Sequence, residues 1–171
     1  MEPESISARA RVLASEYEGR YRGCTQSCLA ALQEVFDTRD DGVFKSASGL
    51  AGGIGITNLG TCGALTGGAM AISMVFGRER ADFDDPQRKR MVAYRLCKQL
   101  ADRFVQEYGS VLCRDIQEVN LGREYDLWDK EEYSNFNQVA YVEGRCPDLV
   151  GKAAEWAAEI ILENIDLLDG P

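Results

Sequence analysis

The chain has 171 residues, a formal net charge of −9, six cysteines and no histidine. So acidic a protein repels phosphates, which argues against a nucleic-acid or anionic-membrane surface. The missing imidazole removes histidine-ligated zinc, histidine-ligated haem and a histidine general base. One domain over residues 1–171 is expected from the length, and a hydrophobic content of 45% suits a globular core.

Residues 5–18 place Ile6, Ala10, Leu13 and Tyr17 at helical spacing, with Ser5 as the expected cap. A second helix is predicted from Cys24 to about Asp37, with Cys24, Cys28, Ala31, Leu32 and Val35 along one face. Cys24 falls in its first turn, where amide N–H groups lack partners, whereas Cys28 reads as a small buried hydrophobe. Residues 38–60 show little periodicity and read as a long Gly-rich loop that packs down through Leu50, Ile54, Ile56 and Leu59. Its glycines match neither a phosphate-binding loop nor a dinucleotide fingerprint, because the lysine and the third glycine are missing.

The stretch 61–77 predicts a helix with Leu65, Ala69, Ile72 and Phe76 as its apolar stripe. Its interior glycines each cost about 1 kcal/mol relative to alanine. Close approach of another backbone is the expected compensation, which makes this the central helix. Asp84 or Asp85 is expected to cap a helix running to Tyr108, with Pro86 in its first turn and Cys97 within its apolar stripe. Gly109 stops it, and Ser110 is read as the cap of a short helix that carries Cys113 in its first turn. After a loop anchored by Tyr125 and Trp128, Asp129 and Glu132 form the expected capping pair of a helix to about Tyr141. The last helix is expected to start at Cys146-Pro147-Asp148, with Pro147 in the first position and a stripe reaching Asn164 and Leu167. Nothing alternates like a strand, so the predicted fold class is all-α, a multi-helix bundle around the Gly/Ala-rich helix.

Cys24, Cys62, Cys113 and Cys146 each fall at the start of a predicted helix, and Cys28 and Cys97 do not. Helix N-termini favour thiolates through their dipole and free amides. The chain contains no Cys-x-x-Cys, the usual sign of a zinc ribbon or a thioredoxin-like pair. No export signal or membrane-spanning run is evident in it, so cytoplasmic residence is the default expectation.

Four blocks carry a more specific likeness. Cys24-Thr25-Gln26-Ser27, Gly60-Thr61-Cys62-Gly63-Ala64-Leu65-Thr66-Gly67-Gly68, Gly109-Ser110-Val111-Leu112-Cys113-Arg114-Asp115-Ile116, and Cys146 before Ala153-Ala154 follow one another in order. Together they resemble the C_GCAxxG_C_C family of redox-active proteins over roughly residues 20–165. The family is similar to the iron–sulfur portion of split-Soret cytochromes c, but this chain lacks their Cys-x-x-Cys-His, so no haem is expected.

What the resemblance implies is a helical electron-transfer protein in which Cys24, Cys62, Cys113 and Cys146 ligate a [2Fe–2S] or [4Fe–4S] cluster. Gly60 and Gly63 would then let backbone approach the cofactor. Two alternatives stay open: a thiol–disulfide redox protein or sensor using a pair such as Cys24 with Cys28 or Cys62, and a structural zinc site of four cysteines. The redox partner protein is unnamed by the sequence. The small-residue helix can mate within its own chain or with a second protomer in a homodimer.

Overall fold

The computed structural model describes residues 3–168. Among these the chain is helical, with a single isolated antiparallel bridge between Thr61 and Leu112, and the all-α expectation holds. The Gly/Ala-rich helix α4 (Gly63–Phe76) lies at the centre, packed on α2 (Cys24–Val35), α5 (Arg90–Tyr108) and α8 (Arg145–Glu163). Its glycines are explained by proximity. A Cβ on Gly67 would collide with the Thr25 carbonyl oxygen and stand 3.0 Å from the Cys28 Cβ, and one on Gly68 would stand 2.8 Å from Leu100. Backbone contact with α2 therefore offsets the helix propensity lost at these positions.

Helix α1 (Pro3–Tyr21) lies along α8. It begins ahead of Ser5, the expected cap, whose side chain lies outside the described part of the chain. Gly151 of α8 lets the two helices touch, since its Cβ would stand 2.9 Å from the Arg11 carbonyl oxygen. Leu149, Val150, Ile160 and Ile161 of α8 are buried in the main core, each worth about 1.5–3 kcal/mol. The buried positions of α1 include Ala10, Ala14 and, one turn further, Glu18.

Several boundaries differ from those read off the sequence. The stretch 38–60 is not wholly irregular: Asp40 accepts from the Gly42 and Val43 amides at 2.8 and 2.9 Å and caps a short helix, α3 (Asp41–Ser46). The expected helix at Pro86 begins only at Arg90. Asp85 folds back to accept from the Lys89 and Arg90 amides at 2.6 and 3.2 Å, so it caps α5 from outside. Ser110 accepts from the Leu112 amide, and Leu112 rather than Ser110 precedes α6 (Cys113–Leu121).

Asp129 does cap α7 (Lys130–Asn137), but Glu132 turns to Arg123 instead of completing a capping pair, and a π-turn over Gln138–Val142 follows. Pro147 takes the third position of α8, not the first, and α8 ends at Glu163, so Asn164 is its C-cap and Leu167 lies beyond it. No helix among the described residues is long and apolar enough to cross a membrane.

A smaller cluster built from Leu121, Tyr125, Leu127, Phe136 and Ala140 sits apart from the main core, with Ile56, Tyr141 and Cys146 packed against it. The space between the two clusters is where the functional residues gather.

Two outcomes follow for stability. Gly67→Ala should lower the stability measured by urea unfolding by about 1–3 kcal/mol. Gly49→Ala, with nothing within 4 Å of its added Cβ, should change it by less than about 0.5 kcal/mol. Burial raises the Asp85 pKa, but the Arg90 and Lys89 amides and the Arg90 guanidinium outweigh it and hold the carboxyl below its ordinary 3.8. A depressed folded pKa means the stabilisation is complete above that ordinary value and lost as pH falls through the lower folded one. Asp85→Asn, in a left-handed position (φ 50) that asparagine tolerates, should lower Tm at neutral pH, and its deficit should shrink as both proteins are acidified.

Candidate functional site

Four cysteines on four helix N-termini come together. Cys24 opens α2, Cys62 is the N-cap of α4, Cys113 opens α6 and Cys146 is the second residue of α8. All four line one cavity of about 230 Å3, larger than the ~150 Å3 that suffices for a benzene-sized guest in an engineered core. Cys62 and Cys113 are buried, Cys24 and Cys146 are half-buried, and all are free thiols. Cys28 and Cys97 stand elsewhere, as expected. Cys28 is buried in the main core, and Cys97 donates to the Ala69 carbonyl at 3.5 Å in the contact between α5 and α4.

Local backbone explains the convergence. The Thr61–Leu112 bridge is flanked by hydrogen bonds from the Cys62 amide to the Val111 carbonyl at 2.8 Å and from the Cys113 amide to the Gly60 carbonyl at 2.9 Å. These bonds set Cys62 and Cys113 side by side. Cys24 is brought in by two successive left-handed residues, Arg22 (φ 66) and Gly23 (φ 88), which turn α1 into α2. A Cβ on Gly63 would strike the Cys24 sulfur, so the glycine after Cys62 is what admits Cys24.

Above these lies a turn of left-handed backbone. Gly52, Gly53, Ile54, Gly55 and Ile56 all have φ between 52 and 69. Two of the glycines are required for space as well as for conformation: a Cβ at Gly52 would lie 2.8 Å from the Ile56 Cα, and one at Gly53 would lie 2.9 Å from the Cys113 Cβ. The isoleucines are held there against their preference by the Ile56 amide bonding to the Ala51 carbonyl at 3.0 Å and by Trp128 Nε1 donating to the Gly55 carbonyl at 3.0 Å.

Asn58 (φ 66) closes the turn from within the core. Its Nδ2 donates to the Tyr125 carbonyl at 2.6 Å, and its Oδ1 accepts from Gln117 Nε2 at 2.8 Å; Gln117 in turn accepts from the Tyr125 amide at 3.0 Å. The Cys113 sulfur sits beside both side chains, at 3.7 Å from Asn58 Oδ1 and 3.6 Å from Gln117 Nε2.

The electrostatics depart from one expectation. Helix N-termini were expected to depress the thiol pKa values, but burial dominates. It pushes Cys24 up to about 12, with Glu18 adding to the rise and the Gly52 amide opposing it. It pushes Cys113 up to about 11 against a hydrogen bond from Gln117, and raises Cys62 and Cys146 as well. The Ala64 and Leu65 amides oppose the rise at Cys62, and Arg22 opposes it at Cys146. All four shifts favour the protonated thiol, and buried thiols of this kind are poor nucleophiles.

Of the two glycines expected at a cofactor, Gly63 stands against the Cys24 sulfur, while Gly60 has its amide engaged by the Gly53 carbonyl at 3.0 Å and its carbonyl by Cys113. The amides that favour negative charge on the Cys24 and Cys62 sulfurs are those of Gly52, Thr25, Ala64 and Leu65. Glu18, Tyr141 and Arg22 also line the cavity or its edge and were not singled out from the sequence.

A family model described as "Putative redox-active protein (C_GCAxxG_C_C)" matches residues 23–160. The chain belongs to this family. The matched span takes in all four cavity cysteines and stops short of the end of α8. No curated protein and no solved structure matches the chain. Redox activity is thus the description attached to the family, and the four-cysteine cavity is where this member concentrates its sulfur.

Asn58→Ala would leave the Tyr125 carbonyl buried without its partner and Gln117 Nε2 with only the Cys113 sulfur. An orphaned buried group costs about 1–3 kcal/mol, so a loss of about that size is expected in urea unfolding.

Proposed function

We propose that the protein is an electron-transfer protein whose four cavity cysteines, Cys24, Cys62, Cys113 and Cys146, hold an iron–sulfur cluster. The observation that carries this reading is that four separate helix N-termini each present a cysteine to the same cavity, while both remaining cysteines are left in packed helix contacts.

The residues fit such a group in three respects. Four thiolates are the usual protein ligands of [2Fe–2S] and [4Fe–4S] clusters. Helix N-termini and inward-facing amides favour the negative charge that a thiolate-ligated cluster brings. The glycine at position 63 clears the space beside Cys24 that a side chain would fill.

A single metal ion is a poorer match. Zinc would draw all its sulfurs to within about 2.3 Å of one point, and among the described residues no three Cys, Asp or Glu are gathered closely enough to hold an ion. Sulfurs distributed around a cavity suit a multinuclear group, whose irons take their thiolates separately. When bound, the cluster supplies one-electron transfer. The chain supplies the rest: α2, α4, α6 and α8 would fix the ligands, the Gly52, Ala64 and Leu65 amides favour negative charge on sulfur and would so tune the potential, and the apolar cluster around Phe136 walls the other side.

Anaerobic reconstitution of the full chain with iron and sulfide tests this. The expected product is coloured, with visible charge-transfer absorption and stoichiometric iron and acid-labile sulfide. Alanine at Cys62 or Cys113 should abolish the absorption, whereas Cys28→Ala and Cys97→Ala should retain it. A colourless, iron-free product overturns the reading. Zinc near one equivalent would point to a structural site, and a thiol count that changes on oxidation without any iron would point to disulfide chemistry.

A further inference from the structure

Two isoleucines stand in left-handed backbone, Ile54 at φ 67 and Ile56 at φ 52, and burial compensates only one of them. Ile56 is half-buried and packs against the apolar cluster around Phe136. Ile54 is 59% exposed. A β-branched residue with positive φ is a genuine outlier. Glycine or asparagine would follow the same path at lower cost and would leave no apolar side chain in water. The path of the turn therefore does not account for the side chain at position 54.

Ile54 has apolar company at the surface. Its Cγ1 lies 3.2 Å from where a Cβ on Gly60 would stand, which places it beside Leu59, itself 70% exposed. On the other side Trp128 is 74% exposed, yet its indole is fixed by the bond from Nε1 to the Gly55 carbonyl at 3.0 Å. Three large apolar side chains thus border one exposed turn. An aromatic ring already held in place loses little freedom when it is covered, and tryptophan is among the residues that most often dominate binding interfaces.

The charges around the turn select what covers it. Glu124, Asp126, Asp129 and Glu131 are exposed and form no ion pair among the described residues. Arg123 is paired with Glu132 at 2.5 Å and Arg114 with Asp115 at 3.2 Å, so Lys130 is the unpaired base that stands among these acids. A second copy would set acidic rim against acidic rim, in a chain whose net charge is already −9. We propose that the turn Gly52–Ile56, with Leu59 and Trp128, is a docking surface for another protein whose contact face carries an apolar centre ringed by lysine and arginine. Ile54, Leu59 and Trp128 fill the centre, and the acids steer the approach. Gly52 and Ile56 of the same turn line the cysteine cavity from within, so the partner docks on the outer side of the cavity wall, whatever the cavity holds.

Selection of a random peptide library on the full chain at low salt tests this. The expected peptides combine aromatic or aliphatic residues with lysine and arginine, and bind less tightly as salt is added. Ile54→Asn and Leu59→Ser should each weaken that binding about tenfold or more, a loss of the size found at interface hot spots. Reversing charge with Glu124→Lys and Glu131→Lys together should flatten the salt dependence. Trp128 is left in place because it also holds Gly55. The Tm of Ile54→Asn should match or exceed that of the wild type. A lower Tm would show that Ile54 serves the fold, and overturns the proposal. So does a selection that enriches nothing, one that enriches acidic peptides, or peptides that bind both variants as they bind the wild type. A dimer in sedimentation velocity that Leu59→Ser dissociates would put a second copy on this surface, which also overturns it.

Discussion

The contact between the glycine edge of α4 and the first turn of α2 is the constraint on which the site depends. Gly63 and Gly67 lie one turn apart on α4 and face Cys24, Thr25 and Cys28 on α2. Any side chain at either position would push the helices apart and move Cys24 away from Cys62. The same approach explains why a helix so rich in glycine is stable at all: backbone packing replaces the propensity it lacks. Once α2 and α4 are locked in this way, the Thr61–Leu112 bridge ties α6 to the start of α4, and α8 follows through its packing on α2 and α4. Fold and site therefore share one set of contacts.

Two opposing electrostatic effects meet at the sulfurs. Helix N-termini and amides favour negative charge there, whereas burial in a cavity walled largely by apolar groups disfavours it. In the thiol form burial wins at all four cysteines. An incoming cation would reverse the balance by charge compensation, and protons would have to leave as it bound. Nucleophilic thiols are built differently, with exposure and neighbouring cations that lower the pKa.

Much of this was legible in the chain. Residues at helix starts and stops announced themselves, notably Gly109 with its left-handed φ of 75 and Asp129 with its two capping bonds. The placement of Cys24, Cys62, Cys113 and Cys146 at helix N-termini could be read for the same reason. What stayed hidden depended on tertiary context. Asp85 caps α5 through its side chain across an intervening turn, so the helix starts later than its sequence position implies. Glu18 lies on the apolar stripe of α1, one turn after Ala14, but a glutamate there reads as a solvated flank until α8 and the π-turn are packed over it. The sign of the thiol shifts was also out of reach, because dipole placement is local and burial is not.

The left-handed turn from Gly52 to Ile56 was the least legible element, and its placement accounts for its cost. L-residues in this conformation pay about 1–2 kcal/mol each, and β-branched Ile54 and Ile56 are among the least suited to it. Such strain persists only where the surroundings over-determine it. Here Trp128 grips the Gly55 carbonyl, Asn58 binds both Tyr125 and Gln117, and the Gly60 amide returns to the Gly53 carbonyl. What the strain achieves is position. A right-handed or extended path would carry the Gly52 amide away from the Cys24 sulfur and the Gly53 backbone away from Cys113. The cavity thereby acquires two unlike walls: one of backbone and sulfur, which cannot move without breaking α4 from α2, and one of aromatic side chains, which ends at Tyr141 and Arg22. The sulfur wall is thus held by contacts between helix backbones, whereas the opposite wall is held by side-chain packing around Phe136 and Tyr141.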